Sequence, residues 1–493
     1  MTGTDAGATD LSGTGLGGTD LGGTELGGTE SLCPVCLRVL PAAFERRGEE
    51  VLLVRTCPEH GLFSEAVWRG EPDFAVWRRP KHPAKGVLAG FPHDRGCPFD
   101  CGLCPEHAQL PCTILLEITD RCDLGCPVCF ASSGAGDKPH GDIDKFINSL
   151  EFIRKRAGSV VLQISGGEPT LHPRLIDLAR AAAKLFPAVQ LNTNGLRLAA
   201  DPDLAVRLKE AGLGWVFLQF DSLNDETLKI LRGRALKKEK IRAVDNLERA
   251  GLPTVLVPTV ARGVNDMELG GLVRFGMARP MVRGLHFQPM TTSGRNSLGG
   301  AERRLTLPEL LRGLCAQTPG LDMGQAFPPG CEHERCSFHL RFRRLPDGTL
   351  VPRPGGRESA CCRSPGAPPK TTPVPSDPGE TAAGRDRAVD IILRSWSPGG
   401  VGQGAEPGRE NPGAPGPTPL IPMAKKAPDA FDEFLDKAAR ESFSLTAMAF
   451  QDVWTADLAR LRGCCVHVFS PPDRFVPFCA MNLTSADGRA LYR

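Results

Sequence analysis

Cysteine is the residue type through which this sequence can do chemistry. Eighteen of its 493 residues are cysteines, and they fall in groups: 33, 36 and 57; 97, 101, 104 and 112; 122, 126 and 129; 315, 331 and 336; 361 and 362; 464, 465 and 479. In a small secreted domain such a count suggests disulfides, but a long chain without a signal-peptide pattern points to metal or redox chemistry. Short, regular gaps put neighbouring thiolates on tight turns, where they converge on one metal centre.

The stretch "EITDRCDLGCPVCF" carries Cys122, Cys126 and Cys129 as CxxxCxxC. Three thiolates hold three corners of a four-iron cubane and leave one iron without a protein ligand, open to a small molecule. Taken alone, the triad also reads as an electron-transfer cluster with a distant fourth ligand, or as a zinc knuckle. Further on, "SGGEPT" (165 to 170) has glycines that let the backbone approach a ligand, and Glu168 can accept hydrogen bonds from a cationic amine. A lone GGEP is otherwise only a turn. Asn192 and Asn194 in "NTNG" and Asp221 in "LQFDSL" end apolar runs, either as strand-end caps or as ligand contacts.

Three other groups have ligand spacing. Cys33, Cys36, Cys57 and His60 form two knuckles, "CPVC" and "CPEH", suited to one tetrahedral ion. That ion is iron or zinc: zinc would be structural, iron could pass electrons. "GCPFDCGLCPEHAQLPC" holds Cys97, Cys101, Cys104 and Cys112, a second CxxxCxxC with a fourth cysteine nearby, which supplies every corner of a closed auxiliary cubane. Toward the C-terminus Cys331, Cys336, Cys464 and Cys479 are the favoured ligands of a third cluster, with Cys464 and Cys465 interchangeable on sequence grounds. Cys361 and Cys362 are further candidates or reactive thiols. Cys315, on an apolar helix end, is expected to be buried.

The elements that must position these groups follow from periodicity. Strands are expected at 114–119, 160–165, 189–194, 215–221, 254–260 and 285–290, and helices at 141–156, 173–186, 202–211, 226–250 with a break near Gly233, and 266–277. Strands apolar on both faces, separated by helix-length segments, predict a parallel sheet with right-handed crossovers. Six such units give an α/β fold, a partial (β/α)6 TIM-like barrel over 113–315, with each polar cluster at a strand C-terminus. Around it we expect a disordered Gly/Thr-rich leader (1–31), a rubredoxin- or zinc-ribbon-like module (32–95), an auxiliary-cluster segment (96–112), a C-terminal cluster region (316–362 and 429–493, helical over about 429–462) and a disordered Pro/Gly-rich insertion (363–428). The net charge of +2 gives no field for nucleic acid. No run is apolar and long enough to predict a transmembrane segment, so a cytoplasmic protein is expected.

CxxxCxxC followed by an aromatic residue, Phe130, just beyond the first strand of a βα barrel resembles the signature of the radical S-adenosylmethionine (SAM) superfamily. The resemblance implies that the open iron chelates the amino and carboxylate groups of SAM, and that electron transfer then releases a 5'-deoxyadenosyl radical. It further implies cofactor-binding roles for Phe130, Gly166, Gly167, Glu168, Pro169, Asn194 and Asp221. The last position departs from the family, which often shows Ser-Leu-Asp where this chain reads Phe-Asp-Ser. Assigning SAM to the Cys97 triad instead is the rival reading, weakened because no barrel strand precedes it.

In their order, "CPVCLRVLPA", "CPEHGLF", "GCPFDCGLCPEH", "CPVCFA" and "VPFCAMN" resemble the tetraether lipid synthase and pterin-methylating radical SAM enzymes, over most of 33–345 and 460–493. Within them the chain is most similar to the bacterial radical SAM (seleno)protein subgroup. That likeness implies one SAM [4Fe-4S] cluster, two auxiliary [4Fe-4S] clusters and one mononuclear Fe or Zn. It implies hydrogen abstraction from an unactivated carbon for C-C bond formation or methyl/methylene transfer on a lipid or pterin-like substrate, fed by ferredoxin or flavodoxin. Two alternatives stay open: a peptide- or protein-modifying maturase, and a non-enzymatic iron-sulfur electron carrier.

Overall fold

Alternation builds the first unit of the computed structural model, which describes residues 23–79, 94–102, 104, 106–134, 136, 139–330, 332–353, 389, 392, 393, 396, 441–470 and 473–493. Four strands, β1 (Thr24–Leu32), β2 (Val39–Arg47), β3 (Glu50–Cys57) and β4 (Gly61–Arg69), pair antiparallel in chain order. Along β3, Val51, Leu53, Arg55 and Cys57 are buried while their neighbours are not, the period-two pattern of a sheet with one covered face. Buried Arg55 gives its guanidinium to the carbonyls of Leu32, Val453 and Trp454, fastening this sheet to the C-terminal segment.

Strand β1 corrects the expected leader, because the last residues of 1–31 belong to the ribbon. They have few large apolar side chains, but their backbone pairs with β2 from Thr24 to Leu32. Thr29 Oγ1 donates to Asp457 at 2.7 Å and Ser31 Oγ to the Ala456 carbonyl at 2.6 Å. Ladder and anchor supply what side-chain burial does not.

The central sheet is parallel where expected. It runs through β5 (Thr113–Glu117), β7 (Val161–Ser165), β8 (Ala188–Thr193), β9 (Trp215–Gln219), β10 (Thr254–Val257) and β12 (Val282–Pro289), with short β6 (Val128–Cys129) and β11 (Thr259–Val260) between them in sequence. These strands are buried on both faces. Helices α1 (Ile143–Ala157), α2 (Leu175–Ala183), α3 (Leu196–Ala200), α4 (Pro202–Glu210), α5 (Asp225–Arg232), α6 (Lys237–Ala250) and α7 (Leu269–Met277) make the crossovers. Gly233 divides α5 from α6 as a left-handed cap at φ 78°, a conformation glycine adopts without a Cβ penalty. Beyond the barrel come β13 (Arg295–Asn296), which pairs with β6, and α8 (Leu307–Gln317).

The chain after 330 extends this sheet at both edges. β14 (Ser337–Arg344), β15 (Leu350–Pro352) and β16 (Ser442–Met448) sit beside β12, while β17 (Val466–Ser470) and β18 (Arg474–Pro477) sit beside β5. Since β16 is parallel to β12 and β17 to β5, eight consecutive strands run parallel, two more than the repeat pattern suggested. Ser442–Met448 also overturns the expected helix over about 429–462: "SFSLTAM" lies between β12 and β14 with six of its seven residues buried, and its alternation of Ser442, Ser444 and Thr446 with Phe443, Leu445 and Ala447 is the period of a strand, not of a helix. Residues 429–440 lie outside the described set.

The expected insertion also has an anchored part. Val389 is buried against Cys112 and Cys465, and Trp396 packs on Trp215 and Phe217 and donates to Ser444 Oγ at 3.0 Å. Val389 and Trp396 therefore dock onto the barrel. Cys331, Cys361 and Cys362 lie outside the described residues. Among the described residues no helix is long and apolar enough to cross a membrane.

Candidate functional site

The loop that leaves β5 is held on two sides. The Cys122 amide donates to the Gly134 carbonyl, and Arg295 donates through Nε to the Cys126 carbonyl (2.7 Å) and through Nη2 to the Ser133 carbonyl (2.6 Å). Gly294 presses against it so closely that a Cβ there would meet the Phe130 carbonyl at 2.2 Å. Clamped this way, Cys122, Cys126 and Cys129 line one cavity of about 220 Å³ at the C-terminal ends of the barrel strands, where parallel barrels place their chemistry. Burial pushes the Cys122 thiol up to about 12 and raises Cys126 as well, the latter opposed by Arg232. Thiols that resist ionisation when bare become thiolates once a metal cluster supplies the positive charge.

Gly166 and Gly167 form the adjoining part of the cavity. A Cβ on Gly166 would lie 2.4 Å from the Thr119 carbonyl oxygen and one on Gly167 2.2 Å from that of Arg121, so both positions require glycine. Glu168 and Pro169 depart from their expected place: both are buried behind the cavity lining rather than on it. The Glu168 carboxylate accepts from Thr170 N (3.0 Å), Thr170 Oγ1, Thr193 Oγ1 (2.7 Å) and Asn194 N (2.7 Å). It joins the turn after β7 to the end of β8 instead of reaching for an amine. Asn194 does line the cavity, donating to Asp123 at 2.6 Å with Cys122 Sγ at 3.9 Å, and so does Asn192.

Asp221 requires a second correction. It is fully buried, absent from the cavity lining, and paired with Arg232, whose Nε donates to it at 2.7 Å; the Thr259 amide donates to it at 2.9 Å. Arg232 is the residue that lines the cavity. Sequence reasoning missed it because the last turn of α5 reads as an ordinary amphipathic helix end. It missed Ser133 and Ser293 for want of a motif, although Ser293 follows strand β12 as the strand-end rule would ask. Their hydroxyls are buried, line the cavity and have no hydrogen-bond partner among the described residues. Unpaired buried hydroxyls are costly, and a carboxylate or ammonium group entering the cavity would satisfy them. Three soft donors, close glycine backbone and orphaned hydroxyls together fit a four-iron cluster carrying SAM. Phe130 closes one side, edge-on to Phe450 and Phe478.

A second cavity of about 260 Å³ continues down the barrel and shares Leu115, Asn192, Phe217, Gln288 and Phe478 with the first. Aromatic side chains (Phe217, Phe327, Trp396, Phe450) line much of it, with His286, His339, Glu332, Arg79 and Arg341 on the side of β14 and β16.

In the ribbon, Cys33, Cys36, Cys57 and His60 bring one ligand atom each to within 4.8 Å of the others. Cys33 and Cys57 lie 3.6 and 3.4 Å from His60 Nδ1, and Cys36 lies 3.9 Å from Cys57. This is the expected tetrahedral donor set.

Cys97, Cys101 and Cys104 meet in a small cavity under Leu461 and Arg462, but Cys112 is not there. Its thiol faces Cys465 at 3.1 Å, because the Cys112 amide donates to the Cys465 carbonyl where the chain enters β5. The residue that joins the triad is His107, in a second "CPEH" like the one that closes the ribbon site. Burial raises the Cys464 thiol, and the nearby thiols of Cys479, Cys336 and Cys112 raise it further, while Cys465 faces Cys112. Cys315 is half-buried against the core.

Residues 116–276 match the radical SAM superfamily, and residues 25–69 match the HMPTM N-terminal zinc ribbon domain. The sequence is 28% identical to 7,8-dihydro-6-hydroxymethylpterin dimethyltransferase of Methanocaldococcus jannaschii, over 92% of this chain and 92% of that one. It is 30% identical to GTP 3',8-cyclase of Geobacter sulfurreducens over 41% of this chain and 65% of that enzyme. Among solved structures, Streptococcus suis SuiB bound to S-adenosylmethionine is 16% identical with a TM-score of 0.34, covering 41% of this chain and 45% of that one. The chain is an enzyme that carries a radical SAM domain over 116–276 and a zinc ribbon over 25–69, and a radical SAM domain implies SAM and a [4Fe-4S] cluster as cofactors.

Proposed function

We propose that Cys122, Cys126 and Cys129 hold the SAM cluster, and that the enzyme abstracts hydrogen from an unactivated carbon of a pterin-like or lipid substrate in the barrel lumen. The outcome is methyl/methylene transfer or C-C bond formation. When bound, the cluster and SAM supply a 5'-deoxyadenosyl radical; positioning and the exclusion of water fall to the protein. The observation that carries the reading is the junction of the two cavities, where a substrate lying among Phe217, Gln288 and Phe478 would meet the cysteine cavity end-on.

The surrounding residues support that division of work. Arg295 fixes the cysteine loop, Asp221 fixes Arg232 beside Cys126, and Ser133, Ser293, Asn192 and Asn194 offer polar partners to SAM. The Phe130, Phe450 and Phe478 cluster shields the junction. The dimethyltransferase relative, matched nearly end to end, favours a pterin-like compound and transfer of a one-carbon unit. Cys97, Cys101 and Cys104, with His107 or a rearranged Cys112, are our candidates for one auxiliary cluster. Cys336, Cys464 and Cys479, with Cys331, are those for a second. Electrons would come from a ferredoxin or flavodoxin, and the ribbon would hold zinc or iron.

The test is anaerobic reconstitution with iron and sulfide, then reductant, SAM and a dihydropterin. 5'-Deoxyadenosine together with a carbon-enriched pterin supports the reading. 5'-Deoxyadenosine without any change in the pterin, nor in a phospholipid supplied in its place, overturns the substrate assignment.

A further inference from the structure

Among the described residues, two arginines face the lumen without forming an ion pair. Arg341 projects from β14 at the register of Ser444, which pairs in turn with Gly284, and its guanidinium lies 5.3 Å from the Phe327 ring centroid. Arg79 reaches the same turn from the other direction, donating to the Pro328 carbonyl at 3.3 Å. Both line the lumen, both are half-buried, and among the described residues neither forms an ion pair.

Their surroundings sharpen the contrast. Arg343, two residues along β14, pairs with Glu441 at 3.4 Å, and buried Arg304 is matched by Asp452 and Glu65. Arg341 instead meets burial and the like charge of Arg79, both of which disfavour its cation. The acid on this part of the lining, Glu332, accepts from Ser337 Oγ at 2.6 Å and lies 3.6 Å from His339. Residues 80–93, which follow Arg79, contain no Asp or Glu. Two guanidinium groups with no ion pair among the described residues, in a partly dry lumen, are unfavourable until an anion joins them, and their planar forks match phosphate oxygens.

We propose that Arg79 and Arg341 form a subsite for a phosphate ester carried by the substrate, at the end of the lumen remote from the cysteine triad. Phe327, on which Arg341 stacks, registers through His339 and Thr446 with His286, four residues before Met290, which lines the cysteine cavity; at about 3.3 Å per residue the subsite is about 13 Å from that level. The substrate is therefore an elongated molecule with an apolar or aromatic body, its reacting carbon at one end and its phosphate at the other. This rests on the reading above that the reacting carbon sits at the cavity junction. A phosphorylated heterocycle and a phospholipid headgroup share this chemistry.

The experiment measures binding to anaerobically reconstituted full-length protein by calorimetry. The probes are 6-hydroxymethyldihydropterin, its monophosphate, phosphatidic acid in neutral detergent, and diacylglycerol in the same detergent. One phosphate ester should bind at least about ten-fold more tightly than its unphosphorylated counterpart, weakening with added salt; which ester it is identifies the source. Arg341→Gln and Arg79→Gln should each remove most of that difference, and Arg343→Gln should leave it within about two-fold of wild type. Equal binding of each ester and its counterpart, or salt-independent ester binding, overturns the subsite without recourse to a variant. So do Arg341→Gln and Arg79→Gln proteins that bind as wild type does. SAM cleavage by the same wild-type preparation separates the two claims: cleavage without ester preference sinks the subsite alone, whereas ester preference without cleavage sinks the radical reading alone.

Discussion

Asp221 divides two accounts of the site, and Asp221→Asn tells them apart. Its carboxylate and the Arg232 guanidinium are 0% and 4% exposed, with Nε to Oδ2 at 2.7 Å and a second bond from Nη2 to Oδ1. Arg232 also donates to the Val128 carbonyl (3.2 Å) and to Thr259 Oγ1 (2.8 Å). The amide of an asparagine can still accept from the Thr259 backbone, but it leaves the guanidinium charge buried without a counter-ion. Removing one partner of such a pair costs about 3–5 kcal/mol, a large part of the roughly 5–15 kcal/mol that holds a domain folded. Guanidinium denaturation of reconstituted protein should show that loss, and SAM affinity should fall with it as Arg232 moves away from Cys126. Replacing both partners by apolar residues, Asp221→Leu with Arg232→Met, should recover most of the stability but not the affinity, because Arg232 lines the SAM cavity. An Asp221→Asn protein of wild-type stability that no longer binds SAM would place Asp221 on the cofactor and refute this reasoning.

Other outcomes follow from single residues. Gly167→Ala puts a Cβ 2.2 Å from the Arg121 carbonyl oxygen, so SAM binding measured by equilibrium dialysis should drop by at least about ten-fold, near 1.4 kcal/mol; unchanged binding would mean that this backbone approach is dispensable. Cys33→Ser should release one equivalent of zinc or iron by elemental analysis and expose the β1–β4 sheet to protease; retention of the metal would place the ion elsewhere. Burial lowers Lys240 to about 8 from 10.5, so between those pH values the unfolded chain holds a proton that the folded one has released. Stability should therefore rise from pH 8 to 10.5 by at most about 3 kcal/mol, and that increment is lost as pH falls through 8. The increment should be absent from Lys240→Met in paired denaturation curves, and identical pH slopes for the two proteins would contradict the assignment.

The barrel was legible because its signals are local. The runs at 160–165 and 189–194 became β7 and β8, and the break near Gly233 is a helix cap. The cysteine triad and its neighbouring glycines were legible for the same reason: spacing on a tight turn survives without knowledge of the rest of the fold. What stayed hidden depends on partners distant in sequence. Nothing beside Asp221 announces Arg232, and nothing near Cys112 announces Cys465, which β17 brings alongside through its parallel pairing with β5. Ser442–Met448 carried a local signal that the helix reading passed over, the alternation of Ser442, Ser444 and Thr446 with Phe443, Leu445 and Ala447; its place between β12 and β14 was what the sequence hid. β1 escaped because composition argued from side chains, while its stability comes from a backbone ladder and from anchors at Ala456 and Asp457.

The central claim is that the open iron of a cluster on Cys122, Cys126 and Cys129 splits SAM. Its most direct measurement is 5'-deoxyadenosine released by anaerobically reconstituted, reduced wild-type protein, set beside Cys126→Ala prepared in the same way. The account predicts 5'-deoxyadenosine from the wild type and none above background from Cys126→Ala, with the ribbon metal retained in both. No 5'-deoxyadenosine from wild-type protein with its clusters intact, or wild-type amounts from Cys126→Ala, would contradict it.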